Sequence, residues 1–357
     1  MLTSSYGIIY TVINKSNKKN LTMRNKSITI ILGICVLAAS CDKFAPGYNS
    51  KTMDQEAEAL LSLTVSDTYF TKASGVNPTQ EKHINDVQVF VFSSDGTLDA
   101  YQAVQGTSLQ VRCTSGPKRL YVFANAPSLA SYSGESALKG ALTLLKDNYA
   151  GSFVMTSGLK EVNISAGNNN MPVVVSRIAA RVEIAKITNA MSSAQHQGKT
   201  LKVLAAYLTN VAANTSYDNS ALPTDYYNKM GYHSSEVDAL VYDNYSGGIT
   251  LSLNQSINDP HYLYAYPNPS TDATTNGGTW SPRSTKLVIK ASLDGVVYYY
   301  PIVIAAPLVS NKSYRIEELK ITRPGSQDED TPVSIADCNF TLTVSDWTQQ
   351  SLGTVEI

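Results

Sequence analysis

The chain has 357 residues, enough for about two ordinary domains. Its 28 Lys+Arg balance 29 Asp+Glu and no basic run stands out, which argues against nucleic acid as a partner. Charged residues are only 16%, and Thr, Ser, Asn, Val and 22 Tyr take their place, the composition of a secreted β-protein.

Residues 23–41 read "MRNKSITIILGICVLAASC". Arg24 and Lys26 precede an apolar run, Ile28 to Ala39, that is too short to span a bilayer comfortably, and small residues lead to Cys41. The segment resembles a bacterial lipoprotein signal, in which the Cys is acylated and becomes the first residue. Ala38 stands where Leu is commonest. Met23 is the better start for such a signal, and residues 1–22 read as a dispensable leader. Cys35 would leave with the signal and Cys41 would carry lipid, leaving Cys113 and Cys338. A disulfide between these two is allowed outside the cytoplasm, but their separation favours two buried free thiols.

Residues 42–58 are polar and read as a tether. Leu61, Leu63 and Val65 then alternate with Ser62, Thr64 and Ser66, a strand over 59–66 with its apolar face inward. Residues 71–82, with Gly75, Asn77 and Pro78, read as an exposed linker. "INDVQVFVFSSDG" predicts a strand through Val87, Val89 and Val91, closed by an Asp95-Gly96 turn. "SLQVRC", "KRLYVFANA", "SFVMTSG", "EVNISA" and "NMPVVVS" are further strands, and residues 136–149 are the one place for a longer helix. "SRIAARVEIAKITN" (176–189) reads as a strand, with a domain boundary near residue 178.

The second half repeats the style with "KTLKVLAAYLTNVA", "DALVYDN", "GGITLSLN", "HYLYAYPNPS", "TKLVIKASLDGVVYYYPIVI", "SYRIEELKIT", "CNFTLTVSDW" and "GTVEI". Residues 211–235 and 254–283 are polar stretches that read as loops with a short helix or two. Many short strands joined by turn-rich loops predict two β-sandwiches, residues 59–178 and 179–357.

Nothing in the sequence has the pattern of a nucleophile elbow, a phosphate loop or a zinc site. His83, His196, His233 and His261 are scattered and read as exposed loop residues. "SQDEDTP" (326–332) gathers Asp328, Glu329 and Asp330 but lacks the alternating ligands of a calcium loop, so it reads as a solvated turn. The Tyr runs "DYYN" and "VYYYPI" could form a carbohydrate platform, though the alternation in "VVYYYPIVI" favours a strand with Tyr on both faces. The expectation is a protein that is not an enzyme and needs no cofactor.

Several segments in order resemble the fimbrillins, the FimA-type major fimbrial subunits of Bacteroides-type bacteria. They are "INDVQVFVFSSDGTL", "RLYVFANAP", "VVVSRIAARVEI", and "SYRIEELKITRPGSQDEDTP" followed by "FTLTVSDW". With the signal, the resemblance spans most of residues 23–357. It implies two transthyretin-like β-sandwich domains in tandem. It also implies export as an outer-membrane lipoprotein carrying palmitate-type acylation, cleavage by a trypsin-like protease just past the first strand, and polymerisation as stalk, anchor or tip. The cleavage maps onto Lys72–Ala73 in "YFTKASG", where the family usually has Arg, so an Arg-only protease should fail here.

One repeat bears on assembly. "SLTVSD" (62–67) lies in the first strand and "TLTVSD" (341–346) near the C-terminus. If cleavage releases the first strand, an extended segment of another subunit could fill its place, with Phe340, Leu342 and Val344, or Leu352, Val355 and Ile357, standing in for Leu61, Leu63 and Val65. The last ten residues are the preferred donor. The competing reading is a monomeric outer-membrane lipoprotein that binds glycan or host protein through Tyr-rich loops. A lipoprotein hydrolase is the third class, without a triad or metal pattern to support it.

Overall fold

The computed structural model describes residues 56–67, 79–232, 238–272, 280–333 and 338–347, with backbone only at 238, 338–339 and 344–345. Met23, Cys41, Lys72, Ala73, Leu352, Val355 and Ile357 lie outside these residues. The fold is all-β, and all described residues belong to one compact unit.

The first half supplies β1 (Glu58–Asp67), β2 (Asp86–Ser93), β3 (Leu98–Gln105), β4 (Ser108–Thr114), β5 (Gly116–Ala124), β6 (Leu142–Leu144), β7 (Met155–Thr156), β8 (Lys160–Ile164) and β9 (Gly167–Arg177). Eight of these form one sheet in the order β3-β2-β5-β7-β9-β1-β4, with β8 also on β5. The long β9 joins its two parts, pairing with β1 up to Val175 and with β7 at Ser176 and Arg177. Alternation explains the burial. In β4, Leu109, Val111 and Cys113 are buried while the residues between them are not. Cys113 is a free thiol, and burial raises its pKa.

The second half supplies β10 (Ala180–Ile184), β11 (Ile187–Asn189), β12 (Leu201–Thr209), β13 (Val211–Ala212), β14 (Asn214–Ser216), β15 (Tyr226–Tyr227), β16 (Tyr242–Leu251), β17 (Ser256–Ile257), β18 (His261–Ala265), β19 (Lys286–Leu293), β20 (Val296–Val303), β21 (Lys312–Ile321) and β22 (Cys338–Asp346). One sheet runs β17-β11-β21-β10-β18 with β22 also on β21, and another runs β16-β12-β19-β20. The β19–β20 hairpin turns at Asp294-Gly295, both at positive φ, as a tight right-twisted hairpin requires. Tyr300 is buried on one face of β20 while Tyr299 lies half-buried on the other.

The two halves share one apolar core. β6 pairs with β14, and Tyr266, fully buried, exchanges hydrogen bonds with Thr143 at 2.7 Å and Asn148 at 2.8 Å.

Four sequence expectations are corrected. The helix expected over 136–149 is one turn, Glu135–Lys139. Gly140 closes it, and Leu142–Leu144 is recruited as a strand because β14 offers an edge. The stretches 211–235 and 254–283, expected as loops, hold the short strands β13, β14, β15 and β17. "DALV" in "DALVYDN" is a helical turn before β16. Finally, His261 begins β18 and pairs with Asp243, and His196 sits in a helical turn, so neither is an exposed loop residue.

Candidate functional site

The alternation of β1 seats it between two neighbours. It runs antiparallel to β4, placing Leu61 opposite Val111 and Leu63 opposite Leu109. It runs parallel to β9, placing Leu63 opposite Met171 and Val65 opposite Val173. Leu61, Leu63 and Val65 are 1%, 2% and 2% exposed, Ala59 is also buried, and Thr64 points to solvent. Fully burying a side chain of this size contributes about 1.5–3 kcal/mol. The three larger residues therefore contribute a total comparable with the whole stability of an ordinary domain. An emptied seat would expose that apolar surface and two rows of backbone N–H and C=O groups.

Each end of the seat holds a buried cation. At the start, the buried Lys118 ammonium lies 3.1 Å from Glu56, which precedes β1, and 3.1 Å from Asp99. At the far end, Arg177 on β9 places one guanidinium nitrogen 2.5 Å from an Asp67 oxygen and another 3.3 Å from its second oxygen. Arg177 also donates twice to the Glu81 carbonyl, at 2.9 and 2.8 Å. Its side chain is 1% exposed. The ends differ in one respect: Lys118 has a carboxylate that is not on the β1 segment, whereas the carboxylate on Arg177 is the last residue of β1.

The exposed linker expected over 71–82 is corrected at its end: Thr79–Lys82 is a 3-10 turn and Glu81 in it is buried. Its buried carboxylate accepts from Arg181 at 3.0 Å, Tyr264 at 2.6 Å and Trp347 Nε1 at 2.8 Å. The Trp347 ring lies 5.0 Å from the Arg177 guanidinium, a cation–π distance, and stacks on Tyr264. Burial, then the Glu81 charge, pushes the Tyr264 hydroxyl far above its ordinary pKa, so it stays a donor. The chain before the linker, the chain after it and the residue that follows β22 thus meet around one guanidinium.

The sequence reading missed this cluster. Arg177 and Arg181 were visible as two cations in the apolar run "SRIAARVEI", and a charge on a buried strand demands a partner. The partners were not visible, because Asp67 is 110 residues from Arg177 and Trp347 is 266 from Glu81.

The solvated-turn reading of "SQDEDTP" is overturned. Asp330 pairs with Arg283 and Lys286, both buried, while Glu329 accepts from the Tyr207 hydroxyl and from the Tyr232 N–H at 2.9 Å. Gly325 lets this segment lie against β20: a Cβ there would sit 2.4 Å from the Tyr299 carbonyl oxygen. The charges fasten a strap across the β16-β12-β19-β20 sheet. Among the described residues no group of His, Cys, Asp and Glu is placed to hold a metal ion.

The all-β architecture alone fixes no role, and comparison supplies the family. The family described as Major fimbrial subunit protein (FimA) matches residues 59–254, and the chain belongs to that family. No curated protein sequence matches it. Among solved structures, it is similar to a fimbrilin (FimA) from Porphyromonas gingivalis W83, with 17% identity, a TM-score of 0.61 and coverage of 83% of this chain and 99% of that one. It is also similar to Mfa3, the tip fimbrial protein of Porphyromonas gingivalis with C-terminal truncation, at 13% identity and a TM-score of 0.51, covering 82% of this chain and 100% of that one. The fold is the all-β fimbrilin fold. The chain is a structural subunit of the fimbrial family, a component of a cell-surface fimbrium.

Proposed function

We propose that this subunit is exported as a lipoprotein acylated on Cys41, held at the outer membrane, cut at Lys72–Ala73, and polymerised into an adhesive fimbria by strand exchange. The same proposal takes residues 59–178 and 179–357 as its two domains. The observation that carries it is the seat of β1. A strand flanked on both sides and buried through Leu61, Leu63 and Val65 leads directly into the segment holding Lys72. Cutting that segment leaves the strand attached by non-covalent contacts alone. A refilled seat recovers the apolar burial and both ladders, and head-to-tail filling does not close on itself, so it yields a filament. The donor is a C-terminal segment of the next subunit, carrying either Phe340, Leu342 and Val344 or Leu352, Val355 and Ile357.

The test is negative-stain microscopy of the mature protein before and after limited trypsin treatment, beside Lys72→Ala and two shortened chains, one ending at Asp337 and one at Thr348. The cut wild type should form filaments, and neither Lys72→Ala nor the chain ending at Asp337 should. The chain ending at Thr348 keeps the first donor segment and lacks the second, so it tells the two apart. Filaments from Lys72→Ala or from the chain ending at Asp337 at the wild-type rate would sink the reading, and a cut wild type that stays monomeric would favour a surface-binding lipoprotein instead. Cys41→Ala should shift the precursor out of the membrane fraction with loss of acyl mass, since multiple acyl chains are what make such anchoring stable.

A further inference from the structure

We propose that Arg177 sets the register of the incoming strand by demanding a carboxylate at its end, and that Asp346 of a second copy of this chain supplies it. The proposal rests on the strand-exchange reading and names the occupant of the seat as residues 338–346.

Alternation alone cannot fix the register. A slip of one residue would turn Thr341, Thr343 and Ser345 into the core and is excluded. Of the slips of two residues, the one that puts Asp346 in the core is excluded. The opposite slip, which brings Val344 to the place of Asp67, keeps apolar side chains inward, so the hydrophobic surface hardly resists it. The guanidinium of Arg177 does resist it. Once β1 has left, Arg177 retains the Glu81 carbonyl but has lost the Asp67 carboxylate. A buried cation without its anion is strongly unfavourable. Only a strand with an acidic residue at that one position satisfies it.

The chain carries such a strand. Leu63–Asp67 and Leu342–Asp346 both read LTVSD. With Asp346 in the place of Asp67, Val344 falls on Val65, Leu342 on Leu63, Phe340 on Leu61 and Cys338 on Ala59. Each inward position of β1 receives an apolar side chain, and Asn339, Thr341, Thr343 and Ser345 fall on the outward positions. The five residues nearest Arg177 are identical, and the larger replacements come at the far end.

The present place of β22 holds it less firmly than the seat holds β1. Among the described residues it pairs with β21 alone, where β1 has a neighbour on each side. Phe340 and Leu342 are only half-buried there. Asp346 pairs with Lys312, and the two side chains are 44% and 38% exposed, so that ion pair contributes little. Moving to the seat of a second copy gives β22 a second ladder, deeper burial for its apolar face and a buried cation for Asp346.

The experiment cuts the full mature protein in the linker and adds amidated peptides under reducing conditions. Native mass spectrometry reads the peptide retained and the β1 fragment released. The peptides are residues 338–347, the same with Asp346→Asn, residues 348–357, and residues 58–67. We expect 338–347 to enter the seat and the Asp346→Asn peptide to bind at least tenfold more weakly. On Arg177→Gln protein the two should bind alike, and if that variant fails to fold the peptide pair on wild type still decides. Equal binding of the Asp and Asn peptides to wild type overturns the Arg177 role. Entry of 348–357 or 58–67 without 338–347 overturns the choice of occupant while leaving strand exchange standing. If no peptide enters, not even 58–67, strand exchange itself fails and this proposal with it.

Discussion

Two clusters of buried cations do opposite things in this molecule. Arg283 and Lys286 share Asp330, and the strap that carries Asp330 is tied to β20 by paired backbone hydrogen bonds between Tyr299 and Ser326 and by a bond from Val333 to Pro301. Arg177 depends on Asp67, the last residue of the strand we propose is exchanged. The ion-pair chemistry is alike; the route of the chain differs. An anion on a fixed segment makes a staple, because cation and anion cannot separate without unfolding. An anion on a removable segment makes a requirement, because its departure leaves a buried charge that some other anion must meet.

The strongest test of that contrast is Asp330→Ala. It leaves two cations, 1% and 0% exposed at their side chains, without their carboxylate, and removing one partner of a buried pair costs about 3–5 kcal/mol. Chemical denaturation should show this loss both before and after the linker is cut. A loss that disappears on cutting would mean the strap is not a fixed staple.

Acid gives a second handle and sets the conditions for the others. Burial pushes the Glu135 carboxyl up, but hydrogen bonds from Arg119, Tyr121 and Lys139 outweigh it and bring the pKa down from 4.5 to about 2. A carboxylate depressed by folding stabilises the fold fully above its unfolded pKa, and that support is lost as the pH falls from 4.5 through 2. The shift corresponds to about 3 kcal/mol at 1.36 kcal/mol for each unit. Glu135→Gln should flatten the fall in melting temperature over that range. Since Glu135 belongs to neither cluster, the two aspartates are best compared above pH 5.

There, Asp67→Asn should cost about 2 kcal/mol in the uncut protein, less than Asp330→Ala because Arg177 keeps its two bonds to the Glu81 carbonyl. In cut protein from which β1 has been displaced, the variant and wild type should melt alike. A difference that survives displacement would place the effect of Asp67 elsewhere.

The sequence made the strands legible and hid what fastens them. Period-2 alternation exposed β1 and β4 because each has one face in the core, and Asp95-Gly96 marked the turn after β2 because Gly96 sits at positive φ, which few residues other than Gly and Asn accept. The helix expected over 136–149 failed because β14, 70 residues further on, offered Leu142–Leu144 an edge to pair with. "SQDEDTP" looked solvated for the same reason that Arg177 looked unexplained. A charge announces that it needs a partner, but the partner is set by topology and not by neighbouring sequence. The candidate site was therefore half visible: Leu61, Leu63 and Val65 from their alternation, and neither Arg177 nor Glu81 from anything near them.

The smallest effect we expect tests whether the end of β22 belongs to the Arg177 cluster or merely lies against it. Trp347→Phe keeps an aromatic ring beside Arg177 and Tyr264 and removes the Nε1–H donor to Glu81. Glu81 retains Arg181 and Tyr264, so the carboxylate is not stranded, and the loss of one hydrogen bond to a charged group should cost about 1.5 kcal/mol. If β22 is held in place partly through that bond, the variant should also release it more readily. Hydrogen exchange along β21, which pairs with β22 from Lys312 to Ile321, should then quicken while exchange in β9 stays as in wild type. Uniform quickening across both strands would show that Trp347 supports the core as a whole, and the contrast between a fixed staple and an exchangeable end would lose its C-terminal half.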